Sequence, residues 1–147
     1  MDEGLAGLSH CQWSPSGRHI FTISDLKLRL TIWNLINQSV QYISCPKHGD
    51  GSGIDFSSTE GSNGTLAIVQ KCTDEMIADG VAADAGTDVL GIYSTSGNAS
   101  GYWDCLHRVS LGSRDTADIK FTRDGSHLVV WESPLQCSIQ VLEVAFG

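Results

Sequence analysis

Residues 11–35 read CQWSPSGRHIFTISDLKLRLTIWNL, and how they are read decides the fold. Trp13 precedes the turn Ser14-Pro15-Ser16-Gly17, where proline presets φ and glycine admits the left-handed backbone. An apolar run follows, then Asp25, then a second apolar run closed by Trp33-Asn34. The stretch is either an isolated hairpin or one copy of a repeated unit.

Two later segments decide between these. Residues 53–70, GIDFSSTEGSNGTLAIVQ, place Phe56 before a polar turn and an apolar run. Residues 117–133, ADIKFTRDGSHLVVWES, do the same more cleanly, with Phe121, a turn ending at Gly125, and a run ending at Trp131. The interval from Trp13 to Phe56 falls within the roughly 40–45-residue period of four-stranded propeller blades. The interval from Phe56 to Phe121 is half as long again.

The offset inside each unit is the stronger test. Trp13 to Trp33 is the same interval as Phe121 to Val141, with Val141 taken as the equivalent point in SIQVLEV. Phe56 to Tyr93 is nearly twice as long, which puts extra chain between the second and third strands of the middle unit. The excess falls on residues 70–87, QKCTDEMIADGVAADAGT, which are acidic, rich in Ala and Gly, and without a strand pattern.

Strands are therefore expected near residues 9–13, 19–23, 28–35 and 39–44, then 53–56, 65–70, 88–94 and 105–109, then 117–121, 127–131 and 138–144. Runs such as TLAIV and HLVVW are apolar at successive positions, as strands buried on both faces are. A two-sheet sandwich also uses short strands, but it does not explain the recurring offset. The expected fold is all-β, a partial propeller with a first blade at 1–47, a second at 48–112 and an incomplete third at 113–147. An open fan of this kind would leave two apolar blade faces uncovered, so the isolated chain is expected to self-associate or to be only marginally stable.

Bulk properties narrow the function. A formal net charge of −8 argues against a nucleic-acid footprint, which needs clustered Lys and Arg. Apolar runs are short, so no span of a bilayer is expected. The acidic start MDEGLAGL lacks the basic head of a secretory signal, and the five cysteines are expected to be reduced cytosolic thiols, several of them buried. The three Asn-x-Ser/Thr sequons are then expected to be chance.

The units resemble WD40 repeats in degenerate form. Trp33-Asn34 stands where Trp-Asp is usual, and Asp25 stands where such repeats place a turn aspartate. A closer resemblance is carried by DEGLAGL, CQWSPSGRHI, LKLRLTIWNL, SVQYISCPK and IKFTRDGSHLVVWES, dense from Asp2 to Lys47 and thinner beyond. These segments resemble the centrosomal and spindle-pole WD-repeat family of WD-repeat-containing protein 8. The resemblance implies a middle portion of a longer propeller, located in the cytoplasm and cytoskeleton at a centrosome or spindle pole. It implies a role in anchoring microtubule minus ends through a coiled-coil adaptor and a minus-end-directed kinesin.

Chemistry finds less support in the residues. Cys45-Pro-Lys-His48 and Cys105-Leu-His107 have gaps compatible with half a zinc site, but no Cys-x-x-Cys completes one. No Gly-x-Ser-x-Gly elbow occurs, and Gly49-Asp-Gly-Ser-Gly53 lacks the Lys-Ser/Thr of a phosphate loop. No catalytic residue, metal or cofactor is expected. A metal-dependent enzyme and a generic cytoplasmic WD40 adaptor stand as alternative readings. The acidic stretch 70–87 is expected to be a solvated loop, with a contact for a basic partner as its other reading. Among the tryptophans, Trp13, Trp33 and Trp131 are expected between blades, and Trp103 with Tyr102 is expected as the exposed contact.

Overall fold

The computed structural model describes residues 7–24, 29–57, 64–82, 84–95, 101–135 and 138–144. Eleven strands form among them: β1 (Leu8–Trp13), β2 (His19–Ser24), β3 (Arg29–Asn34), β4 (Val40–Ser44), β5 (Ile54–Ser57), β6 (Thr65–Lys71), β7 (Asp88–Ser94), β8 (Asp104–Ser110), β9 (Thr116–Phe121), β10 (His127–Glu132) and β11 (Ile139–Glu143). They build three antiparallel sheets in the orders β1-β2-β3-β4, β5-β6-β7-β8 and β9-β10-β11. The fold is all-β, an incomplete propeller of two four-stranded blades and three strands of a third.

The repeat is written most plainly in the first turn of the outer blades. Gly17 (φ 73°) and Gly125 (φ 74°) both lie in the left-handed region. The Gly17 N–H donates to Ser14 O at 3.0 Å, and the Gly125 N–H donates to Thr122 O at 2.9 Å. The hydroxyls of Ser14 and Thr122 each accept from the backbone N–H of the following histidine, His19 or His127, at 3.1 Å. Ser/Thr-x-x-Gly-x-His is therefore the turn signature of the unit, and both copies stand in the sequence. The corresponding turn of the second blade lies outside the described residues.

Pairing register defines equivalent positions across blades. One row runs Trp13–Ile20–Trp33–Val40, the next Phe56–Leu66–Tyr93–Cys105, the third Phe121–Leu128–Leu142. The equivalent of Trp33 in the third blade is thus Leu142 and not Val141, which points to the opposite face. The β10–β11 connection is longer than the β2–β3 connection, so the true offset exceeds the expected one by a single position.

The excess of the second blade also divides differently from the expectation. Phe56 to Leu66 is a longer interval than Trp13 to Ile20, so a small part of the excess lies in the β5–β6 turn. The larger part lies between β6 and β7. That segment is not simply a solvated loop. It contains a one-turn helix, α1 (Asp74–Ala78), whose start is capped by Thr73 accepting from the Met76 N–H. Met76 is buried with Cys72, Ala82 and Val89, so an apolar anchor holds the acidic turn against the blade.

Alternation of side chains explains the successive apolar positions of the middle blade. Leu66 and Ile68 face the first blade and join Phe21, Ile23, Leu30 and Ile32. Ala67 and Val69 face the third blade and join Leu90, Ile92, Ile119, Phe121, Leu128 and Val130. Each fully buried Leu or Ile contributes on the order of 1.5–3 kcal/mol, which makes the two seams the core of the molecule. Among the described residues no helix is long and apolar enough to cross a membrane.

Candidate interaction surfaces

Trp103 is the centre of the first seam. It is 1% exposed, the largest fully buried side chain, and stands just ahead of β8. Its ring meets Phe21, Phe56 and His19 edge-on, with centroids 5.6, 5.9 and 5.8 Å away. Gln41, on the outermost strand of the first blade, grips its backbone from both sides. The Gln41 Nε2 donates to Trp103 O at 2.6 Å, and the Trp103 N–H donates to Gln41 Oε1 at 2.8 Å. The exposed contact expected of Trp103 is overturned: its ring enters the seam, where Phe21 and Phe56 offer apolar contact that solvent does not. Tyr102 remains exposed.

Lys47 and His48, in the stretch that invited a metal reading, are engaged in holding blades together. Lys47 Nζ donates to both carboxylate oxygens of the buried Asp88 at 2.7 Å and to Arg114 O at 2.6 Å. Asp88 also accepts from the Thr116 N–H at 2.9 Å. Each inner strand sends an aspartate across the second seam. Asp118 Oδ1 accepts from the Gly53 N–H at 2.8 Å, and Asp55 Oδ2 accepts from the Phe121 N–H at 2.7 Å. His48 bonds Thr116 O at 2.9 Å through Nε2, and His19 bonds Gly101 O at 2.9 Å in the same way.

Ionisation follows the same local logic. Three donors, the Ser126 N–H, the Ser126 hydroxyl and the Thr122 hydroxyl, pull the Asp124 carboxyl down to about 2. The Gly86 N–H and the Thr87 hydroxyl lower Asp84, and the Ser52 N–H and hydroxyl lower Asp50. Burial raises the Tyr93 phenol, and its hydrogen bond to Arg108 in turn raises the guanidinium. All of these are turn or packing effects. Among the described residues no group of three or more His, Cys, Asp or Glu side chains is placed to hold a metal ion. Cys11 and Cys105 are exposed, Cys45 is half-buried and Cys72 is buried, so one described thiol rather than several is a core residue.

Three surfaces carry apolar groups without cover. The outer face of the first blade presents Trp13, 61% exposed, with Val40, Tyr42 and the half-buried Trp33. There the Trp33 Nε1–H donates to Thr22 Oγ1 at 2.9 Å, and the Arg29 guanidinium lies 4.0 Å over the Tyr42 ring. The outer face of the third blade presents Ile139 and Val141 beside the half-buried Trp131. A groove of about 320 Å³ opens between the outer strands of the second and third blades, lined by Leu90, Ile92, His107, Val109, Leu128 and Leu142.

Of the residues singled out in the sequence, Phe56, Tyr93 and Phe121 lie in the seams, and Pro15, Gly17 and Gly125 lie in turns. Trp13, Trp33 and Trp131, all expected between blades, lie on the uncovered outer faces instead, Trp13 and Trp33 because their row points away from the second blade and Trp131 because it shares the outer face of the third blade with Ile139. Asp25 lies outside the described residues. Gln41, Asp55, Asp88 and Asp118 escape the sequence reading. Gln41 and Asp55 stand at strand positions where a polar side chain breaks an apolar pattern, and that is the available signal.

No protein-family model matches the chain. WD repeat-containing protein WRAP73 of Mus musculus is 30% identical over 139 residues, which cover 95% of this chain and 26% of that protein. The chain thus spans about a quarter of the length of this relative, and the match supports a WD40 protein. Among solved structures, a Bacteroides uniformis protein provisionally named a 6-phosphogluconolactonase matches 95% of this chain and 40% of its own, at 16% identity and a TM-score of 0.51. That likeness concerns the fold alone. A Dos1 propeller covers 96% of this chain and 59% of its own at 8% identity, with a TM-score of 0.27.

Proposed function

We propose that this chain is part of the WD40-like propeller of a non-catalytic interaction scaffold that acts in microtubule minus-end anchoring at centrosomes or spindle poles. The observation that carries the reading is the similarity to a WD-repeat protein along 95% of the chain, joined to the run of matching segments between Asp2 and Lys47. The geometry supports the scaffold part. Buried polar side chains are spent on tying blades together, while the uncovered surfaces are aromatic and aliphatic, as protein-binding surfaces are. A coiled-coil adaptor and a minus-end-directed kinesin are the partners proposed with this role, and the cytoplasm and cytoskeleton the location.

Fluorescent tagging at the endogenous locus tests it. Foci at spindle poles that bring the adaptor down in co-precipitation are expected. A diffuse cytoplasmic signal through mitosis would leave a generic WD40 adaptor as the better reading. The isolated chain is further proposed to self-associate through its bare blade faces. A concentration-dependent sedimentation coefficient is expected, relieved by Trp13→Glu with Tyr42→Glu. A monodisperse, cooperatively melting monomer would count against it.

A further inference from the structure

We infer that Lys47 and Asp88 form a clasp that couples the two seams, so that the three blades open and close as one unit rather than seam by seam. The device belongs to the connections between blades, and it stands apart from the spindle-pole role.

The first observation is the path of the β4–β5 connection. After β4 the chain bends at Cys45, whose φ of 52° lies in the left-handed region that a residue with a side chain seldom occupies. The bend lays the next residues along β6. The Lys71 N–H donates to Cys45 O at 2.9 Å, Pro46 bridges Gln70, and the Lys47 N–H donates to Val69 O at 3.0 Å. Lys47 is thereby fixed by its backbone, and its side chain reaches Asp88 at the start of β7. The two side chains are 16% and 4% exposed, so the pair is largely shielded from water.

The second observation is what else meets there. An ammonium has three donors, and Lys47 Nζ has three acceptors, both Asp88 carboxylate oxygens at 2.7 Å and Arg114 O at 2.6 Å. The β8–β9 connection closes on the same aspartate. The Asp88 N–H donates to Ser113 O at 2.8 Å, the Leu111 N–H donates to Asp88 O at 3.0 Å, and the Thr116 N–H donates to Asp88 Oδ2 at 2.9 Å. His48, beside Lys47, bonds Thr116 O. The connection that leaves the first blade is therefore bonded directly to the connection that enters the third. Stacked repeats ordinarily couple through neighbouring faces alone, and the two seams lie on opposite faces of the second blade. The clasp adds a directional tie between blades that are not neighbours. Parting the first seam withdraws the β4–β5 connection and takes the ammonium from a buried carboxylate. An uncompensated buried charge is costly, so the hold of Asp88 on residues 111–116 loosens with it.

Native-state hydrogen exchange of the full chain, at low protein concentration, tests the coupling. Ile32→Val trims a side chain buried in the first seam and should raise opening there roughly 2- to 10-fold. With the clasp intact, amides of β2 in the first blade and of β10 in the third should accelerate by the same factor, as members of one cooperative unit do. In a chain carrying Lys47→Met with Asp88→Leu, which exchanges the pair for apolar groups, Ile32→Val should accelerate β2 and leave β10 unchanged. If that paired variant lacks native circular dichroism, Lys47→Gln with Asp88→Asn removes the charges and keeps neutral hydrogen-bonding groups, and the same divergence is expected. Exchange in β10 that ignores Ile32→Val while the clasp is intact overturns the proposal, and this arm needs no clasp variant. Equal acceleration of β2 and β10 with and without the clasp also overturns it, since the apolar faces would then carry the coupling by themselves.

Discussion

Replacing Trp103 by alanine is the perturbation that tests the packing most directly. The side chain is 1% exposed and meets three rings at centroid distances of 5.6–5.9 Å, so truncation removes both area and oriented contacts. Large-to-small changes of Trp or Phe in cores cost about 3–5 kcal/mol. One feature pulls the figure toward the low end: among the described residues the buried Trp103 Nε1–H finds no partner, and leaving such a donor unsatisfied costs about 1–3 kcal/mol in the native state. A loss of about 3 kcal/mol follows, which at roughly 2–4 °C per kcal/mol for a chain of this size lowers Tm by about 6–12 °C. Trp103→Phe keeps much of the ring contact and discards the orphaned donor, so it should cost about 1 kcal/mol. Trp13→Ala, on the exposed face, should cost less than about 1 kcal/mol in the monomer. Urea unfolding of the three variants, followed by far-UV circular dichroism at low protein concentration, gives the comparison. Equal losses for Trp103→Ala and Trp13→Ala, or a loss below about 1 kcal/mol for Trp103→Ala, would refute the assignment of Trp103 to the seam.

Three further outcomes are expected. Asp88→Ala leaves the largely buried Lys47 ammonium without its counter-charge, with the Arg114 carbonyl as its remaining acceptor, and the Thr116 N–H without its acceptor, and by chemical denaturation should cost about 3–5 kcal/mol. Gly17→Ala and Gly125→Ala both force a left-handed residue, at roughly 1–2 kcal/mol; Gly125→Ala should be the worse, because its new Cβ collides with Ser57 Oγ whereas the one at Gly17 enters open space. Asp124 titrates near 2 in the folded chain against an ordinary value of 3.8, so the stability it contributes is complete above pH 4 and is lost as pH falls through 2. A carboxyl-carbon NMR titration should place its midpoint there, and Asp124→Asn should flatten the stability profile between pH 4 and pH 2.

Every strand was legible in the sequence because turn residues bound a short apolar or alternating stretch, or because the repeat placed it, and the Ser14-to-Gly17 and Thr122-to-Gly125 turns share one backbone geometry. What was not legible depended on register and on long-range space. Val141 and Leu142 are both aliphatic, so only the pairing of Leu128 with Leu142 shows which one corresponds to Trp33. The stretch 70–87 reads as a loop by composition, yet Met76 reaches a pocket formed by Cys72, Ala82 and Val89, which spacing alone does not reveal. Trp103 misled for a related reason. Its neighbours Gly101 and Asp104 are residue types common in exposed turns, and the ring is buried by Phe21 and Phe56 from elsewhere in the chain.

The uncovered faces follow from the same parity that builds the seams. Leu66 and Tyr93 are buried and Phe56 is half-buried because a blade precedes them, and Trp13, Ile20 and Trp33 occupy the identical row with no described blade before them. On the other side, Ala67, Val69 and Ile92 meet the third blade, and their equivalents Val129, Trp131 and Val141 meet nothing described. Both end faces are thus shaped by the unit to receive another face of the same kind. If binding in this protein uses the apolar surfaces, it uses positions that inside the chain already bind blade to blade. Specificity must then come from what the seams add to apolar contact: a bidentate amide such as Gln41 and an aspartate reaching across as Asp55 does.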